Sequence, residues 1–232
     1  MIKSYRVFLL SFLSLAALLG LSSCQNLNGR GTVESVRWDE GMSSQMRRGF
    51  QHLLEMPYAM LYGRFSEQHE VAFILAEGGQ DRPHHWVGSS GAELWTQHAH
   101  IRASRGLGDD FLRVEVIDEG AVSAFLRGYT EVMDPEHASV EWILPAGALQ
   151  WLEHVGTVVE VTDVPYISFA LNGRAWQVKE RVQVTGQPGA FERIYWIEPT
   201  TRSLLKMRTQ YAVDSAPITL EWIRVPDRAD QK

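Results

Sequence analysis

Tyr166-Ile167-Ser168-Phe169-Ala170-Leu171-Asn172-Gly173-Arg174-Ala175-Trp176-Gln177-Val178-Lys179-Glu180-Arg181-Val182-Gln183-Val184 is the stretch that decides the fold class. Trp176, Val178, Val182 and Val184 alternate with Gln177, Lys179, Arg181 and Gln183. That period of two is the mark of a strand with one face buried. Asn172-Gly173 follows the apolar run Tyr166 to Leu171 and readily supplies the two positive φ angles of a tight hairpin turn. A hairpin is therefore expected here. Leu205, Met207, Tyr211 and Val213 alternate with polar residues in the same way, and Ile218, Leu220 and Trp222 repeat the pattern near the C-terminus. Earlier strand candidates are Val71 to Ala76, Leu94 to Ile101, Phe111 to Ile117 and Val140 to Leu144, with Gly88-Ser89-Ser90-Gly91 as a turn. Two segments read as helices. Met46, Phe50, Leu53 and Leu54 place one apolar face on Ser43 to Met56, ended by Pro57, and a shorter helix is expected from Ala146 to His154. Many short strands with frequent turns and no βαβ pattern give a mainly β chain, an antiparallel barrel- or sandwich-like sheet system with one or two short helices.

The N-terminus reads differently. Met1 to Arg6 carries Lys3 and Arg6 without an acid, Val7 to Leu21 is almost wholly apolar, and Leu21-Ser22-Ser23-Cys24 follows. A basic start, a short apolar run and small residues before a cut site make a secretory signal, 1–23. Cys24 is the chain's only cysteine, and with its preceding residues it resembles a bacterial lipobox. Its thiol would take a diacylglycerol thioether and the freed amine a third chain such as palmitate. Each buried methylene contributes about 0.8 kcal/mol, so three chains would hold the protein on a membrane. Gln25, rather than Asp, after Cys24 points to the outer membrane. Residues 24–37 read as the lipidated cysteine and a polar tether, able to stand the body off by about 20 Å. Residues 38–226 read as a single β-rich domain and 227–232 as a polar tail.

The formal charge of the chain is −6, and without Lys3 and Arg6 it is −8. An acidic chain lacking basic clusters argues against nucleic acid and against electrostatic adhesion to a membrane. The signal leaves 209 residues, enough to bury a core without disulfides. Catalytic signatures are lacking. His98 and His100 would share a face only if both sat on one strand, and no metal-ligand spacing accompanies them. Gly88-Ser89-Ser90-Gly91 is not a nucleophile elbow. Asp109, Asp110, Glu115, Asp118, Glu119 and Glu160 supply carboxylates that the sequence alone cannot set face to face across a glycosidic bond. No phosphate-binding or dinucleotide loop is present, so neither metal nor cofactor is expected. The eight tryptophans, most within strand candidates, suit either a core or a sugar-stacking surface.

Two stretches resemble the group 4 capsule polysaccharide formation lipoproteins (YjbF-like). The first runs from Phe73 to Leu112. It includes Trp86-Val87-Gly88-Ser89-Ser90-Gly91, Leu94-Trp95-Thr96 and Gly106-Leu107-Gly108-Asp109-Asp110-Phe111-Leu112. The second is Tyr195-Trp196-Ile197-Glu198-Pro199 with Leu204-Leu205-Lys206-Met207-Arg208-Thr209-Gln210. Met56-Pro57-Tyr58-Ala59 is a weaker echo. Ala99-His100 stands where the family usually has Gly-Arg, and Thr200-Thr201-Arg202 lacks the family's glycine. The resemblance implies an all-β, non-enzymatic accessory in capsule or exopolysaccharide export, on the periplasmic face of the outer membrane, with no catalytic residue. Glycan would be recognised by Trp86, Trp95 and Trp196, with Arg102 and Arg105 meeting acidic groups on the polymer. Polysaccharide and export-machinery proteins would be its partners. Two other readings are a lipid or lipoprotein carrier built on an incomplete barrel, which needs an apolar cavity, and a periplasmic glycan hydrolase or lyase, which needs two close carboxylates in an open cleft.

Overall fold

The computed structural model describes residues 57–65, 70–79, 82–88, 91–107, 110–167 and 172–224. Signal, tether, Cys24, the helix expected at 43–56 and the tail at 227–232 lie outside the described residues. Twelve strands follow one another: β1 (Met60–Arg64), β2 (Glu70–Gly79), β3 (Arg82–Gly88), β4 (Glu93–Gln97), β5 (His100–Arg105) and β6 (Phe111–Glu119), then β7 (Ser139–Pro145), β8 (Leu152–Ile167), β9 (Asn172–Val184), β10 (Ala190–Glu198), β11 (Ser203–Thr209) and β12 (Ile218–Arg224). Among the described residues one helix, α1 (Gly120–Leu126), lies between β6 and β7.

The strands form one antiparallel sheet in the order β5-β4-β3-β2-β1-β12-β11-β10-β9-β8-β7-β6. Each strand pairs with its chain neighbour, and β1 meets β12 to join the two halves. The two edge strands, β5 and β6, lie beside each other without a ladder among the described residues, so the sheet curls into a nearly closed barrel with one seam. Closure removes all but this edge. Alternation fills the interior: Leu61, Phe73, Trp86, Leu94, Val178, Tyr195, Ile197 and Leu220 are each at most 1% exposed.

The expected hairpin forms between β8 and β9, but its turn lies elsewhere. Asn172 and Gly173 pair with Ile167 and Tyr166, so both are strand residues rather than the turn. Leu94 to Ile101 is not one strand. It breaks at His98, whose φ of 52° is a turn conformation that His tolerates better than most residues, giving β4 and β5. Ala146 to His154 is not a helix. Gly147 has φ 79°, Ala148 N donates to Pro145 O, and Leu152 to His154 already pair with β7. The strand expected through Val213 stops at Thr209, because the Ser215 hydroxyl accepts from Tyr211 and Ala212 N–H and holds them in a loop.

Helix α1, β1 and the part of β8 before Tyr166 escaped the sequence reading. Gly120-Ala121-Val122-Ser123-Ala124-Phe125 is buried on every side, so it has no polar face to betray a helical period. Gly120 starts it with φ 68°, and a Cβ there would lie 2.7 Å from Ser139 N. Only glycine fits.

Candidate functional site

Two features stand out, one inside the barrel and one outside. The interior feature begins at Arg193 on β10, 4% exposed. Its guanidinium donates to Glu141 Oε2 at 2.7 Å, to Glu180 Oε2 at 3.3 Å and to Thr209 Oγ1 at 3.1 Å. Glu180 also accepts from Tyr195 OH at 2.9 Å and Ser139 Oγ at 2.6 Å. Glu141 reaches the other way, to His100 Nδ1, and Ser123 Oγ lies 2.8 Å from His100 Nε2. Burial pushes the Glu141 carboxyl up, but Arg193 and His100 outweigh it and hold it well below the ordinary carboxylate range. For Arg193 too, the neighbouring Glu141 and Glu180 charges overcome the cost of burial, so its pKa rises. The chain links β5, α1, β7, β9, β10 and β11. It ties the two sides of the seam together by side chains where no ladder does.

Ser123, His100 and Glu141 have the connectivity of a hydrolytic triad. Ser123 is fully buried, however, and His100 and Glu141 are 4% and 3% exposed. The adjoining interior pocket, bounded by Ile101, Phe111, Val114 and Glu141, holds about 20 Å³. That is room for about one water, not for an acyl group or a lipid chain. We therefore assign the chain of polar groups to barrel closure. Asp109 lies outside the described residues, and the other carboxylates noted in the sequence are engaged, Glu115 with Arg113 and Asp118 with His137. Asp110 accepts from Gly106 N, Leu107 N and Ser104 Oγ, Glu119 pairs with Arg127, and Glu160 pairs with Lys179. Among the described residues no cluster of three His, Cys, Asp or Glu could hold a metal ion. His98 sits in the turn and His100 in the interior, so the shared strand face considered for them does not exist.

The outer feature is a cleft of about 470 Å³ along the seam, lined by Pro83, Trp95, Arg102, Ala103, Arg105 and Asp110 among others. Its volume falls in the range of small-ligand sites, about 300–1,000 Å³. Three of the five residues expected to meet glycan come together here: Trp95, Arg102 and Arg105. The register explains why. Trp95 pairs with Ala103 while Thr96 pairs with Ile101, so Arg102 is the extra residue of a β-bulge. A bulge re-aims a side chain. Here it turns Arg102 and Ala103 together into the cleft. The imidazole of His85 lies parallel to the Trp95 indole, centroids 4.6 Å apart, and fixes the ring from one face.

The other two tryptophans go elsewhere. Trp86 is fully buried and donates through Nε1 to Thr96 Oγ1 at 2.8 Å, which closes it to a sugar. Alternation decides this: Trp86 faces inward between His85 and Val87, as Trp95 faces outward. Trp196 is on the outer face of β10, against Tyr166, Ala175 and Leu205, with Lys206 Nζ 5.1 Å from its ring centre. Trp142 and Trp151, both about two-fifths exposed, were not singled out by sequence.

Comparison with known proteins agrees with the barrel and with the sequence resemblance. The solved structure of a hypothetical lipoprotein, YmcC, from Escherichia coli (K12) superposes with a TM-score of 0.60. It is 14% identical, and the match covers 81% of this chain and 98% of that one, a likeness of fold. No curated protein matches the sequence. The profile of the family described as "Group 4 capsule polysaccharide lipoprotein gfcB, YjbF" matches residues 43–223. The chain belongs to the group 4 capsule polysaccharide lipoprotein family.

Proposed function

We propose that this protein is an outer-membrane lipoprotein, anchored through Cys24 with its barrel in the periplasm, that assists capsule or exopolysaccharide export without catalysing a reaction. The carrying observation is family membership over residues 43–223. The anchor reading rests on the sequence around Cys24. Within that role the seam cleft is the site for polymer. Trp95 offers a rigid aromatic surface and Arg102 offers a cationic donor beside the Arg105–Glu93 pair, which is the equipment of recognition. A carrier would need an apolar chamber, and the pocket beside Glu141, of about 20 Å³ among the described residues, is too small to be one.

Deletion of the gene, complemented by wild type or by Cys24→Ala, tests the role. The expected result is loss of surface polysaccharide on deletion, with restoration only by the form that takes up radiolabelled palmitate and fractionates with the outer membrane. Unchanged polysaccharide with disturbed lipid or lipoprotein sorting would overturn it in favour of the carrier.

A further inference from the structure

The geometry points to a sugar bearing a carboxylate, a uronic acid or similar residue of the exported polymer, as the unit held in the seam cleft. The inference rests on the polymer reading above and adds the ligand's charge. The charges around the cleft single out one group. Arg105 is committed to Glu93, whose other oxygen stands 3.6 Å from His85 Nε2. Asp110 is satisfied by two backbone N–H groups and Ser104. Arg102 has no hydrogen bond or ion pair to another side chain among the described residues, and it is half-buried at the bulge beside Trp95.

Arg102 is thus the cation of the cleft with no carboxylate partner among the described residues, while the Asp110 carboxylate in the same lining is turned toward the backbone N–H groups of Gly106 and Leu107. A guanidinium presents a planar pair of donors that matches a carboxylate bidentately. Partial burial removes part of the water that would otherwise screen the pair. Trp95, held by His85, presents its uncovered surface to the C–H face of the same or the adjoining ring. The bulge makes the combination, because a regular strand would send Arg102 and Ala103 to opposite faces.

The test uses the purified mature protein and fragments of surface polysaccharide from the source strain, in native form and after carbodiimide–borohydride reduction of their carboxyl groups. Calorimetric titration at low salt is expected to give at least tenfold weaker binding to the reduced fragments. Arg102→Gln is expected to bring the native fragments down to the affinity of the reduced ones and to leave the reduced ones unchanged. Trp95→Ala weakens both. Equal affinity of the wild type for native and reduced fragments overturns the acidic-sugar assignment and leaves polymer recognition standing. Failure to bind either form overturns polymer recognition itself. Because the decisive comparison varies the ligand, a variant that folds poorly does not obscure the answer.

Discussion

Replacing Arg193 by Met tests the interior account, because it removes one charge and keeps the volume. The wild-type guanidinium is 4% exposed and serves Glu141 and Glu180, each 3% exposed. Without it two carboxylates share a closed interior. Removing one partner of a buried ion pair costs about 3–5 kcal/mol, since the remaining charge is left without compensation. For a domain of this size each 1 kcal/mol lowers the melting temperature by about 2–4 °C, so a drop of about 10 °C is expected near neutral pH. The pH dependence carries the sharper information. In the wild type Glu141 is held low in the fold, so its contribution is present above the ordinary value of 4.5 and fades as pH falls below it. In Arg193→Met the largest charge holding that carboxyl down is gone and only His100 opposes burial, so the carboxyl rises relative to the wild type and the folded state takes up its proton at higher pH than in the wild type. The penalty is thus full above the raised value and shrinks toward pH 4.5. Urea unfolding followed by near-ultraviolet circular dichroism at pH 7.5 and 4.5 reads both quantities. A loss below about 1 kcal/mol at pH 7.5, or a penalty independent of pH, would refute the reasoning. Adding Glu141→Gln and Glu180→Gln to Arg193→Met removes the stranded charges and is expected to recover most of the loss.

His154 supplies a second pH signature. Burial first, then Arg193, lowers its pKa to about 4. The unfolded histidine takes a proton below about 6.5 and the folded one only below about 4, so stability falls as pH descends through that window and then levels. The loss is about 3 kcal/mol, and chemical denaturation from pH 7 to 4 is expected to show it in the wild type and not in His154→Gln. Gly156→Ala would put a methyl 2.5 Å from Ser139 Oγ and against the Glu180 carboxylate. It is expected to cost about 1–3 kcal/mol by overpacking, read as a lower melting temperature. Trp86→Ala is expected to cost about 3–5 kcal/mol, and Trp95→Ala, at a half-buried ring on the outer face, less than that in the same melt.

How far the sequence foretold this molecule depends on what alternation can express. The β8–β9 hairpin and the inward phase of Trp176, Val178, Val182 and Val184 were legible because one face of the strand is buried. Turn positions were less so: Asn172-Gly173 has turn chemistry yet starts β9, and His98 makes the turn between β4 and β5 without a glycine. Helix α1 was hidden by being apolar all round. The interior ionic chain did leave a trace. Glu180 occupies the apolar phase between Val178 and Val182, and Arg193 does so between Phe191 and Tyr195. A charge in an inward slot on each of two strands is the signature of a buried pair, but pairing across strands had to be seen to match them. The cleft was partly legible. Trp95, Arg102 and Arg105 were named, and only the bulge at Arg102 explains why they share a face. Trp86 was misplaced, since a tryptophan's strand phase depends on register that its own neighbours do not fix.

Surface polysaccharide measured in the deletion strain carrying Trp95→Ala/Arg102→Gln asks whether the seam cleft serves export. Both side chains line the cleft and neither belongs to the interior chain, so the protein is expected to accumulate at wild-type level on the membrane. Surface polysaccharide is then expected to fall toward the level of the deletion. Wild-type polysaccharide at wild-type protein abundance would contradict it.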